Sequence, residues 1–277
     1  SFLSGEERRL WENKNRLRVY SDCVKSLRCD RKKEVRMLPE LFSIGPFTVH
    51  SYGFMTASGI LAAILFGEYL LKKTGLAEEG FLLGMGLACV IGGYASSKLL
   101  FWITTLPEIL EDPARLLNFS SGYVVYGGLI GGVLTGYIYC RRKNVDFWKI
   151  FDITVPAVAL AQFFGRIGCF LAGCCYGMPT DGPCGVVFEH SLYAPSDTAL
   201  FPIQLVSAGC NLLNCIVLYL LWRRAGKKAG VTGSAYIMTY SVGRFVLEYF
   251  RGDFERGTVG IFSTSQFIAV FTLAIGL

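Results

Sequence analysis

Charge is scarce in this chain. Only 17% of its 277 residues are charged and 52% are hydrophobic, against about 25% charged in soluble domains, so a soluble globular fold is a poor fit. The first 36 residues lack a long apolar run, which excludes a signal peptide. They hold 11 Lys and Arg against 6 Asp and Glu and supply +5 of the net charge of +6, leaving the other 241 residues nearly neutral. Met37 opens Met-Leu-Pro-Glu-Leu-Phe, directly before the first apolar segment. The natural start is expected there, with residues 1–36 a basic, non-native or disordered extension and 37–277 a single membrane-embedded domain. A basic arm on an anionic leaflet is the other reading. No convincing internal repeat is present, which weighs against a transporter built from repeated halves.

What is abundant is apolar sequence. Seven segments, roughly 47–71, 81–105, 123–140, 151–171, 202–222, 231–250 and 263–277, approach the 20 or so residues that cross a hydrocarbon core of about 30 Å. The expected class is all-α, a polytopic membrane protein of about seven transmembrane helices. Lys72-Lys73, Arg141-Arg142-Lys143 and Arg223-Arg224 mark basic loops, whereas loop 178–200 has Asp181, Glu189 and Asp197 and no Lys or Arg. The positive-inside rule then puts the N-terminus outside and the C-terminus in the cytoplasm. Loops 106–122, 178–200 and 251–262 fall on the outer face.

Against this background a few polar side chains stand out. Arg166 lies in the apolar run Gly165-Arg166-Ile167-Gly168, where a cation costs roughly 2.5–3.5 kcal/mol at the bilayer centre. Tyr240, Arg244, Glu248 and Arg251 are spaced 4, 4 and 3 apart, which places them on one helix face. An ion-paired stripe accounts for Arg244 and Glu248. The surplus guanidinium groups favour a phosphate, which they grip with a bidentate fork. Tyr126-Gly127-Gly128 opens a glycine run read either as tight helix packing or as a surface that admits a lipid. His50 and Tyr52 at an interface fit an aromatic belt. Asp152 is read as a helix N-terminal partner, Lys98 as a cation that can snorkel, and Gln204 as a group in need of a partner.

Taken together, His50-Ser51-Tyr52-Gly53, the Gly-Gly-Leu-Ile-Gly run at 127–131, Gly165-Arg166-Ile167-Gly168, Pro202 with Gln204-Leu205, and Tyr240 through Arg244 to Glu248 and Arg251 resemble the prolipoprotein diacylglyceryl transferase family. The resemblance implies a bacterial plasma-membrane enzyme. Its donor is phosphatidylglycerol, its acceptor the lipobox cysteine at the signal peptide of an exported prolipoprotein, and glycerol phosphate leaves. No cofactor, metal or nucleic acid is implied. Arg166, Arg244, Tyr126 and Glu248 become catalytic candidates, with Glu248 orienting an arginine. His50, Tyr52, Gly127, Gly128, Gly168, Gln204, Tyr240 and Arg251 become candidates for binding lipid substrate. The chain departs from the family pattern at Tyr126, usually His, and at Cys169 and Cys174, usually Asn and Glu. A phenol, with reference pKa about 10, is a poor base at neutral pH. Related readings are a transferase with another acceptor and a lipid or anion transporter.

Cys169, Cys174, Cys175 and Cys184, with His190, cluster near the outer end of the fourth segment. They read as packing residues with a loop disulfide, as a metal site of unusual spacing, or as a reactive thiol at Cys174, its pKa lowered by Arg166.

Overall fold

The structure is a computed structural model that describes residues 33–44, 47–113, 116, 122–182, 184–189, 191, 193–195, 197–225, 228–252, 258–259 and 262–277. In order these form β1 (Lys33–Arg36), β2 (Glu40–Ile44), β3 (Phe47–His50), α1 (Ser51–Thr74), α2 (Phe81–Thr104), α3 (Leu106–Glu111), α4 (Val125–Arg142), α5 (Phe147–Ala172), β4 (Val186–Glu189), α6 (Ile203–Ala225), α7 (Val231–Glu248), β5 (Thr258–Val259), β6 (Phe262–Ser263) and α8 (Thr264–Gly276).

All seven apolar segments are helical, but four of them, α1, α2, α5 and α6, are long and apolar enough by length and composition to cross a membrane. α4 and α7 have 18 residues each, about 27 Å. Arg141 and Arg142 close α4, and Arg244 and Glu248 sit inside α7. α8 has 13 residues. Large apolar side chains such as Leu65, Ile91, Ile130, Leu213 and Ile275 stay uncovered along the helices, which suits a hydrocarbon surround better than water.

The fold is mostly helical rather than wholly so. β1 pairs in parallel with β4, from Lys33↔Val186 to Arg36↔Glu189, while β2–β3 and β5–β6 are antiparallel. These ladders meet the backbone's hydrogen-bonding demand where the chain leaves a helix. Residues 1–32 of the basic N-terminal stretch lie outside the described residues.

The chain divides into two compact units, one of residues up to Ala63 with Val155–Leu277, the other Ile64–Thr154. α1 and α5 each contribute to both.

In the 64–154 unit, α2 packs on α4 through small residues. A Cβ on Gly127 would lie 2.7 Å from Ser96 O and 2.8 Å from Leu100 Cβ, and one on Gly131 would overlap Ser96. This is close helix packing of the small-xxx-small kind. Gly80 caps α2 without a side-chain bond, and Glu68 Oε1 accepts from Leu82 N–H at 2.8 Å and Leu83 N–H at 3.1 Å instead, meeting donors a helix start leaves open. Asp146 plays that part for α5, accepting from Trp148 N–H at 2.9 Å. The sequence reading of Asp152 as the dipole partner is corrected accordingly: α5 starts at Phe147, and Asp152 lies buried in its second turn.

In the other unit, α1 and α5 touch at glycines: a Cβ on Gly59 would lie 2.7 Å from Phe164 Cβ, and one on Gly168 3.1 Å from Met55 Cβ. α7 packs against α6 and α8. α8 begins with a capping box between Ser263 and Gln266, the reciprocal arrangement that satisfies two helix-start donors. Two apolar clusters anchor the connecting segments, Met178 with Phe201 and Ile203, and Met37 with Val186, Phe188, Ala194 and Leu200.

Candidate functional site

The C-terminus of α5 shapes the site. Gly173 takes φ 71°, its N–H bonds Phe170 O at 3.1 Å, and Cys174 N–H reaches back to Cys169 O at 3.1 Å. That pair of bonds is a Schellman cap, for which glycine suits the left-handed position. It folds the chain so that Cys174 returns to Cys169 despite the five-residue separation. Cys175 is itself left-handed, φ 55°, a conformation uncommon for a side-chain-bearing residue. The Sγ atoms of Cys169, Cys174 and Cys175 all lie within 4.8 Å of one another, and all three are free thiols.

The next residues are clamped on both sides. Gly177 N–H bonds Phe201 O at 3.2 Å, Met178 N–H bonds Phe250 O at 3.0 Å, and Gly252 N–H bonds Tyr176 O at 3.1 Å. A Cβ on Gly177 would collide with Phe201 O and lie 3.0 Å from Phe250 O, so this crossing needs glycine. The clamp carries Arg251, which is buried, to the thiols, where it hydrogen-bonds Cys175. Hydrogen bonds from Cys169 and Cys174, with Arg251, hold the Cys175 thiol well below the usual range. The Cys174 thiol is pushed up, first by its hydrogen bond with Cys169. The expectation of a Cys174 thiol lowered by Arg166 is not met: that thiol is pushed up, and the guanidinium that hydrogen-bonds the trio is Arg251, at Cys175. His190 lies outside the described residues. Gln204, fully buried, donates to Cys174 O at 2.9 Å, and its Oε1 accepts no hydrogen bond among the described residues.

The cations form the second part of the site. Arg244 ion-pairs with Glu248 at 3.0 Å and donates to Ser265 Oγ at 2.8 Å. Glu248 also accepts from Ser263 Oγ at 3.2 Å. The Arg244 approach is close but off the hydrogen-bonding direction, so Glu248 Oε2 accepts no hydrogen bond among the described residues. Arg166 and Arg251 lie within electrostatic reach of Arg244. Arg244 thus has two further guanidinium groups and one carboxylate, that of Glu248, within its electrostatic reach. Arg166, part-buried in α5, makes no hydrogen bond and no ion pair among the described residues. Tyr240 is within electrostatic reach of Arg244 and stacks on Tyr236 at 5.8 Å, whose hydroxyl accepts from Gln162 at 2.9 Å.

The remaining candidates are less tied down. Tyr52 is half-exposed and within electrostatic reach of all three thiols. His50 is exposed at the end of β3. Gly168 is filled by α1, its Cβ position 3.3 Å from Tyr52 Cα. Tyr126, Gly127 and Gly128 belong to the 64–154 unit, where Gly127 packs on α2 and Tyr126 stays exposed. A cavity of about 810 Å³ in that unit is lined by Tyr137, Arg141, Arg142 and Asp146 among others and by none of the candidates.

Sequence reading also missed an aromatic box. Lys98 does not snorkel; it is 4% exposed, with the rings of Phe101 and Tyr123 each 5.0 Å away, Trp102 at 5.9 Å and Gly122 O at 3.4 Å. Aromatics three and four residues along the helix were the available signal. Tyr123 in turn is hydrogen-bonded to Tyr94.

A model of the prolipoprotein diacylglyceryl transferase family matches residues 39–277. The chain belongs to that family. It is 45% identical over 242 residues to the phosphatidylglycerol–prolipoprotein diacylglyceryl transferase of Clostridium tetani, covering 87% of this chain and 96% of that protein. It is 40% identical over 244 residues to the second such transferase of Clostridium perfringens, covering 87% and 92%. Identity to the Lysinibacillus sphaericus transferase is 30% over 251 residues, covering 86% and 89%.

Proposed function

We propose that this protein transfers the diacylglyceryl group of phosphatidylglycerol to the lipobox cysteine thiol of an exported prolipoprotein, releasing glycerol phosphate. The reading is supported by family membership and by the names of its relatives. It is carried by one structural observation: Arg166 has no protein partner among the described residues, beside an Arg244 that has one. A part-buried cation of this kind fits a ligand anion, and a phospholipid brings a phosphate.

The chemistry follows from where charge grows. The acceptor thiol gives up its proton to water, its sulfur attacks the glyceryl carbon, the carbon–oxygen bond breaks, and the electron pair departs on the phosphate oxygen. Cations already in position stabilise that charge without reorganising. Arg166 and Arg244 take this role, with Glu248 and Ser265 holding the Arg244 fork. Tyr240, Tyr52 and His50 serve headgroup oxygens, and Gln204 holds the Cys174 turn. Tyr126, a phenol, is suited to donating a hydrogen bond rather than taking a proton. A covalent relay through Cys174 is disfavoured. It would leave a thioether, whose carbon–sulfur bond is harder to break than the ester it replaces, and a covalent intermediate helps only when both steps are easier.

The same reading has seven helices crossing a bacterial plasma membrane, α1, α2, α4, α5, α6, α7 and α8, with the N-terminus outside. Labelling single cysteines from each side of intact cells checks that orientation. The function is tested by complementation. The chain should restore lipoprotein lipidation to a bacterium lacking its own transferase, and the purified protein should release glycerol phosphate from labelled phosphatidylglycerol. Lipid movement without release would favour a transporter instead.

A further inference from the structure

A thiol alkylation needs its nucleophile as a thiolate, and the site of this chain has to supply it. What it has near Arg251 is three sulfur ligands. Their convergence is built by the fold. The Schellman cap returns Cys174 to Cys169, the left-handed Cys175 turns its own side chain to the same point, and the Gly177 clamp fixes the chain just beyond. The Sγ atoms lie within 4.8 Å of one another. Tetrahedral ligation at about 2.3 Å sets sulfurs about 3.8 Å apart, so rotation of the side chains closes the remaining gap. Among the described residues this group contributes three ligand atoms, one short of the four in a closed structural zinc site. Three protein ligands with an open fourth position is the pattern of a catalytic one.

We propose that Cys169, Cys174 and Cys175 bind a thiophilic divalent cation, zinc by chemical class, whose fourth position takes the acceptor cysteine's thiol. The proposal rests on the transferase reading for the identity of that acceptor. A thiol that coordinates such a cation is deprotonated outright; its proton passes to water. The bound sulfur uses its electron pair to attack the glyceryl carbon, the carbon–oxygen bond to phosphate breaks, and the pair leaves on the phosphate oxygen beside the arginines. No oxidation state changes. The product is a neutral thioether, a weaker ligand than a thiolate, and it leaves the cation. Three thiolates around a dication leave one negative charge, and the acceptor thiolate makes it two. Buried Arg251, hydrogen-bonded to Cys175, offsets part of it. This gives the trio and Arg251 one shared purpose, activation of the acceptor thiol.

The test uses the purified full chain in detergent, stripped with a chelator and titrated with cadmium. One cadmium per chain should bind, with an ultraviolet sulfur-to-cadmium charge-transfer band. Cys169→Ser, Cys174→Ser and Cys175→Ser should each weaken binding by more than about tenfold, while Cys210→Ser, on the exposed face of α6, should leave it unchanged. Should a Ser variant fail to fold, the wild-type chain still decides. Chelation should slow transfer to a prolipoprotein peptide by at least about tenfold, with recovery on adding zinc and an unaltered KM for phosphatidylglycerol. Absence of the band, or transfer indifferent to chelation, overturns the proposal. If glycerol phosphate is never released while cadmium binds as stated, it is the transferase reading that fails.

Discussion

Lys98 and Arg166 both sit in apolar helices of this protein, and they are handled in opposite ways. Lys98 of α2 is 4% exposed and is met inside its own unit by three aromatic rings and a carbonyl. Arg166 of α5 has no hydrogen bond or ion pair among the described residues, and its charged neighbours include another arginine. From sequence the two look alike, each a basic residue in a hydrophobic run. The difference is whether the protein itself completes the cation's surroundings. Where it does, the residue is structural; where it does not, a ligand is needed to finish the job. The run in α4 is used for packing on α2, and Gly168 of α5 packs on α1, two residues from Arg166.

The sharpest break of that comparison comes from the arginines. Arg244→Ala should cut turnover by about 10²–10³-fold, the usual loss for a preorganised charge stabiliser, with the protein still extractable and folded. Glycerol phosphate release and a melting curve, measured together, check this. Packing glycines should behave in the opposite sense. Gly131→Ala places a Cβ onto Ser96 and should lower stability by about 1–3 kcal/mol, seen in the melting curve, with KM for the donor unchanged. The smallest effect is expected at the other cation. Lys98→Met should cost about 0.5–2 kcal/mol of stability, the range for a cation against aromatic faces, and leave turnover per folded molecule within about twofold. A Lys98 variant as inactive as the Arg244 variant would erase the distinction.

Much of the helical frame was legible beforehand. The seven apolar segments follow from composition and are helical, and Tyr240, Arg244 and Glu248 share α7 as their spacing implies, but the fourth member of the expected stripe does not: α7 ends at Glu248, and Arg251 lies past it in a bridge to Gly177. What escaped depended on partners remote in sequence. β1 and β4 pair across about 150 residues, and the Gly177–Arg251 bridge joins segments with no shared pattern. The choice between Cys174 and Cys175 turned on one left-handed residue and on which arginine reaches the loop. Neighbouring thiols of the same type carry no sequence mark of that difference. Asp152 is not the N-terminal partner its place at the head of the apolar segment implies, because α5 starts five residues earlier, where Asp146 serves.

The central claim is that Arg166 stands ready for a lipid's phosphate. The most direct test is Arg166→Met, which keeps the apolar stem and removes the charge, compared with wild type for glycerol phosphate release from phosphatidylglycerol in nanodiscs. A fall of about 10²–10³-fold at an unchanged melting temperature is the predicted result. Release within about threefold of wild type by a folded variant would contradict it, since an anchor for the departing phosphate cannot be dispensable at that level.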